Sequence, residues 1–365
     1  MRTIRSNLIH VILIDGTFAS LDDGKRSSIG RVHALLRGRY GPLKHGRLRI
    51  HYASGQQWNS WRTVPELMMG QGLSMRIIEA YAWLAKGYRP GDQVFLLGYS
   101  RGGFAIRSLA GMIGRVGLLR PEYASSRNVR LAWRYYSEGT KSRQLEIFHR
   151  RRSQVNVPIR MVGCFDTVMA LGIRLPLLWI LTEPRFRFHD THLGDDVEHG
   201  FQALALNENR AAFAPILWDN NSTAGQIEQM WFQGAHADIG GQLSGLEFAR
   251  PLANIPLVWM LDRAESVGLP LPEGWRDHFT RDASAPSVGS WRNWGKAFLA
   301  RASRVAGQYE TEKLHETVPR PYPGPAKLTG SLADQAGAGN GRKPSTGQEA
   351  IAAEDPPGLG RAETS

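Results

Sequence analysis

Ser100 stands in Gly98-Tyr99-Ser100-Arg101-Gly102, a full match to Gly-x-Ser-x-Gly. An apolar run of strand length, Val94-Phe95-Leu96-Leu97, leads into it. Behind it Phe104, Ile106, Leu109 and Met112 recur at helix-like intervals. Strand, sharp turn and helix form the setting of a nucleophile elbow, in which the serine occupies a strained turn with its oxygen exposed. Gly98 and Gly102 are required there because a Cβ would strike the neighbouring strand or helix. Unpaired N–H groups at the start of the helix can stabilise developing negative charge. The chemistry this suits is acyl transfer through a serine, which further needs a base and a group to orient it.

Candidates for both lie at the ends of other apolar runs. Asp166 follows Ile159 to Phe165, where a carboxylate can orient a histidine. His236 lies in Gly234-Ala235-His236-Ala237-Asp238-Ile239-Gly240-Gly241, after the strand-like Ile227 to Phe232. A glycine-bounded loop at a strand end leaves a histidine room to reach another loop. Asp238 and His315 form a second acid and base pair that the residues alone leave open. Asp15-Gly16-Thr17-Phe18 ends the first apolar run, Leu8 to Ile14. In a hydrolase of this plan, backbone N–H groups near Thr17 and at Arg101 would form the oxyanion hole.

The elements that must position these residues alternate. Strand-like runs at 8–14, 48–52, 94–97, 159–165 and 227–232 are interleaved with helical periodicity at 31–39, 72–86 and from 101, which predicts an α/β fold. Its central sheet would be mostly parallel, with helices on both faces. Ala203 to Arg210 reads as helical, and Trp291 to Val305 as a basic amphipathic helix. Residues 121–158 are polar and arginine-rich and break the rhythm, as an inserted cap or lid would. Their charge suits a solvated face or transient contact with a membrane surface. The expected organisation is a catalytic domain over 1–325 and a disordered low-complexity tail over 326–365, rich in Gly, Ala, Pro and Ser.

Composition removes several classes. The single cysteine, Cys164, excludes an intramolecular disulfide framework and a cysteine-cluster metal site. His189-Asp190-x-His192 lacks a third nitrogen or sulfur partner and reads as capping or bridging; no metal or other cofactor is implied. The net charge of +12 would suit an anionic partner, yet no zinc-finger, RNP-like or helix-turn-helix spacing appears, so nucleic acid is not expected. The N-terminus lacks a signal-peptide pattern, and no uncharged apolar run reaches the roughly 18 residues that span a bilayer. The expected product is cytoplasmic as synthesised.

Ile14-Asp15-Gly16-Thr17, Arg89-Pro90-Gly91-Asp92, Gly98 to Gly103, Phe165-Asp166-Thr167-Val168, Trp231 to Gly241 and Leu314-His315-Glu316-Thr317-Val318 occur in that order. Together they resemble an alpha/beta-hydrolase family whose studied members are type VI secretion phospholipase effectors. The resemblance implies a serine lipase with the triad Ser100, Asp166 and His236, favoured over Asp238 and His315. It also implies a phospholipid or other ester as substrate, a secretion or immunity partner, and export by type VI secretion. The chain departs from the family pattern at Tyr52-Ala53-Ser54-Gly55, at Asn207 and at Gln242. A cytoplasmic carboxylesterase and a non-catalytic binding module are the competing readings.

Overall fold

The computed structural model describes residues 7–43, 47–57, 71–139, 142–154, 156–168, 192–220, 226–291 and 299–337. In chain order the first half contributes β1 (Leu8–Ile14), α1 (Ser28–Leu36), β2 (Arg47–Ala53), α2 (Gln71–Gly87), β3 (Gln93–Tyr99) and α3 (Arg101–Val116). The short β4 (Leu118–Leu119), α4 (Ser126–Ser137), α5 (Arg143–Arg152) and β5 (Ser153–Gln154) follow. Then come β6 (Met161–Phe165), β7 (His199–Ala205), β8 (Gln226–Phe232), α6 (His236–Gly240) and α7 (Arg250–Ser266). The last described elements are β9 (Val305–Ala306), β10 (Glu312–Leu314), β11 (Lys327–Leu328) and α8 (Gly330–Gln335).

Seven strands form one sheet in the order β10-β8-β7-β6-β3-β1-β2, and every pairing within it is parallel. An all-parallel sheet must be covered on both faces, which is why its strands read as continuous apolar runs. Along β1, Ile12 and Ile14 join a core with Ile77, Leu84, Ile106 and Leu109 from α2 and α3. Val11 and Leu13 point the other way, into a core with Val32 and Leu35 of α1 and Leu257 and Leu261 of α7. The Arg89-Pro90-Gly91-Asp92 turn before β3 fastens the amino end of β1, because Asp92 accepts from the Leu8 N–H at 2.9 Å and pairs with His10 Nε2 at 2.9 Å.

Topology decides where a site can form. From β1 the chain moves outward to β2 and then returns to the other side of β1 for β3. The carboxyl ends of β1 and β3 therefore border a crevice of the kind in which open α/β sheets hold ligands. Register brings the strand ends level: Ile14 pairs with Gly98, Tyr99 with Phe165, Phe165 with Ala203, and Ala205 with Phe232.

Four expectations change. Ala203 to Ala205 belongs to β7 and not to a helix, because strand hydrogen bonding and burial on both faces outweigh the helical propensity of Ala and Leu. Leu299 to Arg304 is not helical: Arg301 bridges to Arg210 and the segment leads into β9, while residues 292–298 lie outside the described residues. Residues 121–154, expected within a cap or lid, lie toward the end of α3 far from Ser100. There α4 buries Val129, Ala132 and Tyr136 against α2 and the far half of α3, where Tyr136 approaches Gly111 and Arg115 reaches the Gly139 carbonyl. Arg115 is 14 residues beyond Arg101, about 21 Å along a helix. Finally, the tail expected from 326 keeps its structure through 337: β11 pairs with β9, and Leu332 and Ala336 are buried with Leu314 and Val318. The apolar run Leu175 to Leu181, which reads as a core segment in the sequence, and His189 lie outside the described residues.

Candidate active site

The turn after β3 is as tight as its sequence requires. Ser100 has φ 57°, in the left-handed region, directly before the first turn of α3. A Cβ on Gly98 would lie 2.4 Å from the Gly102 carbonyl oxygen, and one on Gly102 would lie 2.0 Å from that of Ile14. Neither can be accommodated without moving backbone, so both glycines are set by the crossing of β3, α3 and β1. The Ser100 N–H donates to the Phe165 carbonyl at 2.9 Å, tying the elbow to the end of β6.

Asp166 follows at that end and is fully buried, with φ 44°. His236 opens α6 after β8. The structure brings the three side chains together: Ser100 Oγ is 2.9 Å from His236 Nε2, and Asp166 Oδ2 is 2.6 Å from His236 Nδ1. With the proton on Nδ1, the imidazole donates to the carboxylate and accepts from the serine. The ring is held between Tyr99, at 4.9 Å between centroids, and Phe213, at 4.8 Å, while Glu208 accepts its backbone N–H at 3.2 Å.

Asp238 and His315 are placed elsewhere and are not joined to Ser100. Asp238 accepts from the Ala235 and Val288 N–H groups and the Ser287 hydroxyl, which fixes the first turn of α6. His315 lies against Phe232 at 4.6 Å, with Nδ1 2.9 Å from Thr317 Oγ1. His192, half of the histidine pair noted in the sequence, is bound to Asp219 at 2.7 Å. Among the described residues no group of three or more His, Cys, Asp or Glu could hold a metal ion.

The turn after β1 faces the elbow. Gly16, Phe18 and Ala19 donate their N–H groups to Asp15 Oδ1, Gln56 O and Gly16 O, and the Thr17 N–H has no partner among the described residues. Arg101, at the start of α3, carries an N–H with no place in the helical ladder. Its side chain Nε donates to Thr17 Oγ1 at 2.5 Å, linking the two turns.

The three segments in which the chain departs from the family pattern all make contacts in this region, the first through Tyr52 and Gly55, which fit the pattern, and not through the departing Ala53 side chain. Tyr52 donates to Asp15 Oδ2 at 2.8 Å, and Gly55 lies so near the Gly16 carbonyl that a Cβ would overlap it. Asn207 Oδ1 accepts from the Gly234 N–H at 2.8 Å at the entry to the His236 turn. Gln242 Nε2 donates to the Thr17 carbonyl at 3.0 Å, joining the His236 segment to the turn after β1.

Electrostatically the site is built around one anion. Burial alone would raise the Asp166 carboxyl. The Arg304 guanidinium and the hydrogen bonds from His236 and Arg304 outweigh it and hold the group well below the usual carboxylate range. Arg304 gave no signal in the sequence, where it falls in an ordinary basic stretch. Glu208, bound through both oxygens by Arg210, was likewise not foreseen.

Residues 9–263 match the type VI secretion system family described as phospholipase effector Tle1-like, catalytic domain. The chain belongs to this family. It is a family of hydrolases, and the match spans β1 to α7, including Ser100, Asp166 and His236 but not Arg304. This Tle1-like chain is also 33% identical over 160 residues, 41% of its length, to an uncharacterised protein of Saccharomyces cerevisiae. Among solved structures it is similar to a Tle1 effector bound to the VgrG spike of the type 6 secretion system. The identity there is 18%, covering 64% of this chain and 51% of that one, with a TM-score of 0.38. It is also similar to an uncharacterised protein from Pseudomonas aeruginosa, at 16% identity over 77% of this chain and 52% of that one, with a TM-score of 0.42. The chain thus spans about a fifth of the curated yeast relative and about half of each solved chain. No helix among the described residues is long and apolar enough to cross a membrane.

Proposed function

We propose that the chain is a serine ester hydrolase that cleaves the acyl esters of phospholipids through Ser100, His236 and Asp166. The observation that carries this reading is the pair of contacts at the imidazole, 2.9 Å to the Ser100 hydroxyl and 2.6 Å to the Asp166 carboxylate, at a serine with φ 57°. Family membership supports the substrate class.

His236 Nε2 takes the hydroxyl proton as Ser100 Oγ attacks the ester carbonyl. Asp166 holds the imidazole in the required tautomer and stabilises the imidazolium that forms. The oxyanion is received by the Thr17 and Arg101 N–H groups, each worth about 3 kcal/mol of transition-state stabilisation. Collapse expels the lysolipid oxygen, which takes the proton from His236. Water, deprotonated by the same nitrogen, then releases the fatty acid and restores Ser100. A proposed partner is a secretion spike of the kind seen with the similar Tle1 effector, with delivery to a lipid surface by type VI secretion.

Wild type and Ser100→Ala incubated with mixed phospholipid vesicles, with products identified by mass, test this directly. Lysolipid and free fatty acid from wild type alone are expected. Turnover of short soluble esters without any action on vesicles would replace the phospholipase with a carboxylesterase. Failure of a fluorophosphonate to label folded protein at Ser100 would leave a binding module.

A further inference from the structure

The Asp166 carboxylate is gripped from a part of the chain that no expectation placed near the site. Arg304 Nη1 donates to Oδ1 at 2.6 Å and Nη2 donates to Oδ2 at 2.9 Å. The same two nitrogens donate to the carbonyls of Ala205, at 2.8 Å, and Phe213, at 2.6 Å. Both side chains are buried, at 3% and 0% exposure. The arginine is itself fixed in place. Lys327 N–H bonds its carbonyl at 2.8 Å, next to the pairing of β9 with β11. Upstream, the Ala302 N–H donates to Asn209 O and the Arg301 side chain to Asn209 Oδ1.

We propose that Arg304 is the positioning residue of the catalytic acid: it locks the rotation of the Asp166 carboxylate so that Oδ2 faces His236, and it offsets the charge that the imidazole experiences. This rests on the triad reading given above. A guanidinium fork meets both carboxylate oxygens in one plane, which a single ammonium cannot do. The remaining acceptor bond, from the Ala205 N–H to Oδ1 at 3.0 Å, fixes one oxygen only. Among the described residues, Glu208 and Tyr99 also lie against His236, with Arg210 behind Glu208. Glu208 and Arg210 are paired with each other at 2.6 Å, and the Tyr99 hydroxyl lies 3.4 Å from the His236 carbonyl. Arg304 is therefore the cation that balances Asp166. Removing it leaves a buried anion beside His236, which favours the protonated imidazole and disfavours the base.

The test is the pH dependence of kcat and kcat/KM on a soluble chromogenic ester for wild type, Arg304→Gln, Arg304→Lys and Ser100→Ala, with folding checked by circular dichroism. Arg304→Gln is expected to lower kcat by roughly 10- to 100-fold, the usual cost of losing a group that orients a reactive one, with KM little changed. Its acid limb should move to higher pH by about one unit. Arg304→Lys retains charge without the fork, so the limb should return to the wild-type position while kcat stays at least about tenfold low. A folded Arg304→Gln with a wild-type acid limb overturns the proposal, whatever its kcat. If Arg304→Gln does not fold, Arg304→Lys decides: a wild-type kcat overturns the proposal and a reduced kcat with an unmoved limb supports it. Turnover retained by Ser100→Ala would instead remove the triad reading itself, irrespective of the arginine variants.

Discussion

Asp15 and Asp166 end the two strands that flank the strand leading to Ser100, β1 on one side of β3 and β6 on the other, and both are buried. Their surroundings differ in one respect. Asp166 meets a guanidinium and an imidazole, while Asp15 meets only neutral donors within hydrogen-bonding distance: the Ser27 hydroxyl at 2.6 Å, the Tyr52 hydroxyl at 2.8 Å and the Gly16 N–H at 2.8 Å. Burial raises the Asp15 carboxyl to about 6 despite these bonds and the more distant charge of Arg76. Equal burial with and without a countercharge thus gives an acid poised near neutrality on one side and a permanent anion on the other. The permanent anion is the one beside the histidine. The poised acid shapes the turn that carries Thr17.

The largest expected effect is on turnover. Asp166→Asn should lower kcat by about 10⁴-fold, because the wrong imidazole tautomer is then favoured. Asp15→Asn should change kcat by less than about tenfold, since its partners are structural. Ester turnover by both variants at one pH checks this, and equal losses would erase the distinction between the two carboxylates.

The second effect is on stability against pH. The folded Asp15 carboxyl holds its proton up to about 6, against 3.8 for the free group. The folded state therefore binds more protons than the unfolded chain in that window. Stability is greatest below it and falls as pH rises through it, by up to about 3 kcal/mol for this one group. Asp166 has the opposite sign: its depressed pKa contributes stability above the ordinary carboxylate range and loses it as pH falls through the folded value. Urea unfolding between pH 4 and pH 7 should show wild type losing stability relative to Asp15→Asn as pH rises.

The smallest effect belongs to Tyr52→Phe. Loss of one buried hydrogen bond to the carboxylate should cost about 1 kcal/mol at neutral pH. Because that bond favours the ionised form, the falling part of the curve should extend to higher pH. An unchanged profile would mean that Tyr52 contributes nothing to the balance at Asp15.

Much of this site was legible because its residues stand where strands stop. Ser100, Asp166 and His236 each follow an apolar run, and in a parallel sheet with level strand ends such residues collect at one edge. The turn glycines marked where backbones cross. Legibility failed where tertiary contacts override local pattern. Ala203-Leu204-Ala205 has the composition of a helix but is a central strand, and 327–337 looks too poor in large apolar residues to fold yet is fastened by Leu332 and by one short strand pair. Arg304 was hidden for a different reason. An arginine's role depends on the partner it meets, and here that partner lies 138 residues earlier in the chain.

That separation sets an order of events for a chain made from its amino end. The serine, the acid and the histidine have all left the ribosome before the arginine is added, and the β11 strand that fastens it comes later still. Until then the Asp166 carboxylate lacks its guanidinium partner. A fragment cut after α7 would keep all of residues 9–263, the stretch that matches the family, and yet resemble a nascent chain arrested at that stage.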